Sequence, residues 1–164
     1  MITKISKIKN KVNSDIQKIL TLLEPYEVTE DTLSNMKNHY ERLYIDEELG
    51  YILRSYVIYK GNGIVEFDDD IKEHVTEEVQ LIEQMMKFDF IKLLELVEGE
   101  EIWELDISNN CHFTYFEVDD FNGYSEWFIY GKVDGHNILC RLDNESREEE
   151  IYNQLEELYN QPMD

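Results

Sequence analysis

Apolar residues recur along this chain in two rhythms, and the change from one to the other divides it. From residue 2 to 24 they fall at Ile2, Ile5, Val12, Ile16, Ile19, Leu20 and Leu23. That is the spacing of one helical stripe, and Pro25 stops it. A second stripe, Leu33, Met36, Tyr40 and Leu43, follows Thr29. The Thr29 hydroxyl suits an N-cap, Glu30 and Asp31 suit the positive end of a helix dipole, and the helix is predicted to run to about Tyr44. The rhythm then shortens to two. Tyr51–Lys60 alternates with apolar residues on both sides, Gly61-Asn62-Gly63 turns the chain, and Ile64–Phe67 returns as a partner strand. Helical spacing resumes at Asp70, which with Glu73 resembles a capping box. It runs through Ile71, Val75, Val79, Ile82, Met86, Phe90, Leu93 and Val97 to Gly99, with a break expected near Lys87-Phe88-Asp89. A stripe this long can cover a sheet.

The sheet itself is predicted from Glu101 to Leu142. Four strand-like runs are separated by Ser108-Asn109-Asn110, Asp119-Asp120-Phe121-Asn122-Gly123 and Asp134-Gly135. Connections so short make antiparallel neighbours, hence a four-strand meander. Trp103, Leu105, Ile107, Phe113, Tyr115, Trp127, Ile129, Val133, Ile138, Cys140 and Leu142 fall on the core face. Phe116, Phe128 and Tyr130 make the opposite face more aromatic than solvation requires. Ser146 and Glu149 have capping-box spacing ahead of Ile151, Leu155 and Leu158, a last helix ended by Pro162. The expected fold is α+β: a single antiparallel sheet of about six strands, including the C-terminal meander, with helices packed mainly on one face. The chain reads as one domain over residues 1–164. Trp103, Trp127, Ile129, Ile82 and Phe90 are expected in its core.

Charge changes the picture most. The 164 residues carry a formal −22, which opposes direct binding to nucleic-acid phosphates and favours a basic partner. Residues 1–18 run the other way, with Lys4, Lys7, Lys9, Lys11 and Lys18 against Asp15. The first 24 residues are therefore a basic amphipathic helix and a candidate docking arm. Two cysteines make no disulfide framework. Lysines interrupt each apolar run near the start, and no stretch approaches the length of a membrane span. The expectation is a cytoplasmic protein without membrane contact.

Candidate chemistry is sparse. Of four histidines, none has metal-binding or helical zinc-site spacing. Cys111, His112, His136 and Cys140 would converge only if the outer strands of the three carrying them met, and alternation sends Cys111 and His112 to opposite faces. Asp119 to Gly123 lacks the alternating ligands and final Glu of a calcium loop. Asp68, Asp69 and Asp70 with Lys72 could hold magnesium as in a nuclease, but they are better explained as a helix start. Gly61-Asn62-Gly63 lacks the Lys-Ser/Thr of a phosphate loop. No catalytic residue, metal or cofactor is expected, and the chain reads as a non-enzyme.

What remains is the acidic surface, with clusters at Glu47-Glu48, Asp68–Asp70, Glu77-Glu78, Glu98–Glu101, Asp119-Asp120, Glu145–Glu150 and Glu156-Glu157. Such a surface steers and selects a basic partner, while exposed aromatics anchor it. The partner-binding candidates are Asp119, Asp120, Phe121 and Tyr124 in one turn, and Glu148 and Glu149 on the last helix. As a class, small acidic α+β chains without catalytic motifs resemble bacterial immunity proteins and phage-encoded inhibitors. That resemblance implies a protein that occludes a basic enzyme, such as a toxin nuclease or a host-defence nucleic-acid enzyme, by DNA mimicry or charge matching. The alternative is a homo-oligomeric structural or adaptor domain.

Overall fold

The structure is a computed structural model and describes residues 2–45, 57–61, 64–67, 90–97, 99–119, 123–142 and 145–160. In chain order its elements are α1 (Ile5–Ile8), α2 (Ser14–Leu23), α3 (Glu30–Leu43), β1 (Val57–Gly61), β2 (Ile64–Phe67), α4 (Phe90–Leu96), β3 (Gly99–Ser108), β4 (Cys111–Asp119), β5 (Ser125–Val133), β6 (His136–Leu142) and α5 (Glu145–Tyr159). The fold is α+β. The chain forms two compact units, one joining Met1–Val28 to Glu100–Asp164 and the other spanning Thr29–Gly99. The single sheet of about six strands divides accordingly. Strands β3-β4-β5-β6 form one sheet in sequence order, and β1 pairs with β2 in a separate hairpin.

In the first unit the meander forms as its turns dictate. Asp134 and Gly135 both have positive φ, 47° and 80°, the backbone of a tight hairpin turn whose twist matches the flanking strands. β4 and β5 pair without interruption from Cys111↔Val133 to Asp119↔Ser125, and β5 and β6 from Val133↔His136 to Trp127↔Leu142. One face of this sheet shares a core with α1, α2 and α5. Phe113, Tyr115, Ile129, Ile138 and Cys140 pack there with Ile5, Ile16, Leu20, Leu23, Ile151 and Leu155. Gly131 is needed in this layer, because a Cβ there would stand 2.4 Å from the Phe113 ring. The opposite face is also buried at its centre, at Phe116, Val118, Phe128 and Leu139.

The two tryptophans depart from expectation. Trp103 and Trp127 are half-buried and pack against the core rather than within it. Trp127 lies near the start of β5, between Glu117 and Leu142. Trp103 lies on an outermost strand, with Tyr115 stacked at 5.2 Å and Tyr152 tilted at 5.4 Å between ring centroids. Alternation chose the correct face but not the distance from the sheet's margin. Ile129 and Phe90 are buried as expected, and Ile82 lies outside the described residues.

The predicted first helix is broken into α1, a tight 3₁₀ turn at Lys9–Lys11 and α2. The break is local chemistry. Val12 is extended, and the Asn13 side chain accepts from the Ile16 N–H at 2.9 Å, capping a new helix. The Ile5 N–H at the start of α1 donates to Glu27 Oε1 at 2.7 Å. Two short bridges fasten this segment to the sheet margin. Thr3 N–H donates to the Asn137 carbonyl at 2.7 Å and Val28 N–H to the Leu139 carbonyl at 3.1 Å. With Ile5, Ile8, Ile16, Ile19, Leu20 and Leu23 all buried, the apolar stripe of the candidate docking arm lies in its own unit's core.

In the second unit, Thr29 caps α3 as expected, its Oγ1 accepting from the Thr32 N–H at 3.2 Å. Tyr40 of α3 meets Phe90 of α4 with centroids 6.0 Å apart. Gly99 closes this stretch by close approach, since a Cβ there would lie 2.1 Å from the Leu94 carbonyl oxygen. Residues 51–56, most of the predicted third helix and its break lie outside the described residues. The predicted start of the last helix is corrected: Glu145 is already helical, so Ser146 lies inside the first turn of α5 rather than at its cap.

Candidate partner-binding surface

The strand ends bring separate parts of the chain to one end of the four-stranded sheet. β4 finishes at Asp119 and β5 starts at its partner Ser125. β6 finishes at Leu142, opposite Trp127, so the chain enters α5 from this same end. β3 runs antiparallel to β4 through the short turn at Asn109-Asn110, so its beginning lies here too. Glu100, Glu101, Asp119, Glu126 and the first turns of α5 thus belong to one acidic margin. Glu126 is held by Arg141, Oε1 to Nη2 at 2.5 Å.

The connection between β4 and β5 has a defined base. Ser125 Oγ donates to Asp119 Oδ1, closing the last rung of the hairpin. Gly123 has φ of 86°, which favours glycine. Tyr124 then projects, with 71% of its surface exposed. Among the described residues Tyr124 and Ile102 are the large apolar side chains that stand exposed; Ile102 lies near the start of β3 and Tyr124 directly precedes β5, both at this end. Glu149 on α5 is exposed as well. Asp120 and Phe121 lie outside the described residues, as does the side chain of Glu148. The structure therefore brings Asp119, Tyr124 and the helix that carries Glu149 to one end of the sheet. Ile102 was missed by sequence reasoning. Its signal was an apolar residue out of phase with Trp103, Leu105 and Ile107.

The cysteine and histidine residues do not converge. Cys111 pairs across to Val133 and Cys140 to Ile129, an offset of four residues, about 13 Å along the strands. Both thiols are fully buried. Burial, with Asp134 nearby, pushes the Cys111 thiol up to about 12. Burial, with Glu27 nearby, also pushes the Cys140 thiol up, and its Sγ lies 3.6 Å from the Leu23 carbonyl oxygen. His112 faces outward, its Nδ1 3.9 Å from Asp106 Oδ1. Among the described residues no group of three or more His, Cys, Asp or Glu side chains is placed to hold a metal ion, and no helix is long and apolar enough to cross a membrane. On α5 the Tyr152 hydroxyl donates to Glu156 Oε1 at 2.9 Å, which raises its pKa, chiefly through that bond. Comparison with protein-family models, curated proteins and solved structures finds no match to this chain.

Proposed function

We propose that the chain is a non-enzymatic binding protein whose acidic sheet end occludes a basic site on a target enzyme, of the kind found in nucleic-acid-processing toxins or defence enzymes. The observation that carries this reading is Tyr124, 71% exposed beside Asp119 on an acidic chain of −22. An exposed aromatic amid carboxylates has the chemistry of an interface: the charges raise the encounter rate and select the partner, and the ring anchors it. A basic protein rather than nucleic acid is the partner, because phosphates would be repelled. The reading places Asp119, Asp120, Phe121 and Tyr124 at the centre of the interface and Glu148 and Glu149 at its rim.

The test compares inhibition of a candidate basic nuclease, chosen from the neighbouring gene, by the parent chain and three variants. Reversing Asp119 and Asp120 to Lys together, or replacing Tyr124 by Ala, should weaken inhibition about tenfold or more, as expected for central contacts. Reversing Glu148 and Glu149 should have a smaller effect, mainly on association rate and salt dependence. Equal inhibition by all forms would remove this surface from the function.

A further inference from the structure

The strand order leaves two margins on the four-stranded sheet. That of β6 receives the backbone of Thr3 and Val28. Among the described residues no strand or isolated bridge pairs with the outer margin of β3, a strand of ten residues. Such a margin offers amide and carbonyl groups at every second residue. Its side chains are open too. Alternation places Glu100, Ile102, Glu104 and Asp106 on one face, all exposed, with Ile102 at 42%. Half-buried Trp103 lies on the other face.

Charge decides what can pair there. Two copies of β3 laid side by side would set Glu100, Glu104 and Asp106 against their counterparts, which is unfavourable for facing like charges. A cationic strand meets the opposite condition. We propose that the outer margin of β3 accepts an extended segment of a basic protein as an added strand, with an apolar residue against Ile102 and Lys or Arg near Glu104 and Asp106. Main-chain bonds would supply affinity, and the alternating side chains selectivity. This deepens the reading given under Proposed function and takes the partner's basic character from it. Because β3 begins at the acidic end, a partner held at Tyr124 can continue along this margin.

A short extended peptide of alternating lysine and threonine with valine at its centre is titrated into the full chain while amide exchange is followed. Binding should slow exchange about tenfold or more at every second residue between 100 and 107, as strand addition requires. Methylating alternate backbone nitrogens of the peptide should abolish this in the one phase whose N–H groups face β3, although the peptide's charge is unchanged. Binding that survives methylation in both phases, or slowed exchange confined to the region of Asp119 and Tyr124, overturns the added strand while leaving the acidic-end reading intact. Ile102→Thr and Glu104→Lys change exposed side chains and should each weaken the peptide's binding; unchanged binding in both overturns the proposal. The acidic-end reading fails by a different result, inhibition of the enzyme target that is indifferent to Asp119, Asp120 and Tyr124.

Discussion

The Cys111 and Cys140 thiols illustrate how a single buried atom couples to pH. Cys111 is raised from an ordinary value near 9 to about 12, and Cys140 is raised as well, in both cases chiefly by burial. A raised folded value means that the folded chain holds its proton after the unfolded chain has lost it. The stabilisation is fully present below pH 9 and is lost as pH climbs from 9 through the folded value. The expected slope above pH 9 is about 1.4 kcal/mol per pH unit for each thiol. Tyrosines titrate in the same range, so the measurement is a comparison. Denaturant unfolding at pH 8 and pH 10 should show a smaller loss in the Cys111→Ala/Cys140→Ala variant than in the parent chain. The variant will start less stable, because each truncation leaves a small void. An equal loss in both chains would remove the thiols as its cause.

At the scale of elements, capping decides where helices begin. Asn13 and Thr29 each accept one N–H that would otherwise lack an intrahelical partner. Replacing either by Ala should cost about 1 kcal/mol in chemical denaturation. Thr29 was legible in the sequence because it precedes a fresh apolar stripe. Asn13 was not, because Ile2 to Leu23 keeps one period across it. The Glu27 contact to Ile5 was beyond sequence reasoning altogether, since its partners lie 22 residues apart. The strands were easier. Asp134-Gly135 names its own turn type, and the alternation beside it assigns every side chain of β5 and β6 to a face. What alternation lacks is position within the sheet. It could not tell that Trp103 lies on an outermost strand, or that Ile102 would therefore be exposed. The acidic turn at Asp119 and Tyr124 was legible as a projection. Its company at one sheet end follows from strand register.

For the whole molecule, a net −22 on 164 residues sets like charges against one another throughout the folded state. Compactness concentrates that repulsion, and salt relieves it over a screening length of about 8–10 Å near physiological ionic strength. The melting temperature should therefore rise as sodium chloride increases from low concentration to about 0.2 M, where the screening length has become short. The surface pairs Lys9–Glu24 and Arg141–Glu126 contribute about 0–1 kcal/mol each and should weaken over the same range. A melting temperature that falls with salt would mean that these pairs outweigh the general repulsion.

The bridges from Thr3 and Val28 to β6 carry a consequence for the order of synthesis. Leu23 is translated long before its neighbour Cys140, which lies 117 residues later. Until β6 exists, Ile5, Ile16, Ile19 and Leu23 lack part of the sheet face they pack against, whereas residues 29–99 already contain the whole of their own compact unit. The middle of the chain can thus mature while its opening segment waits. The last large step is closure of a long loop, entropically costly and slow relative to local folding. During that wait the nascent chain displays an amphipathic, lysine-bearing helix stripe, a natural substrate for chaperones.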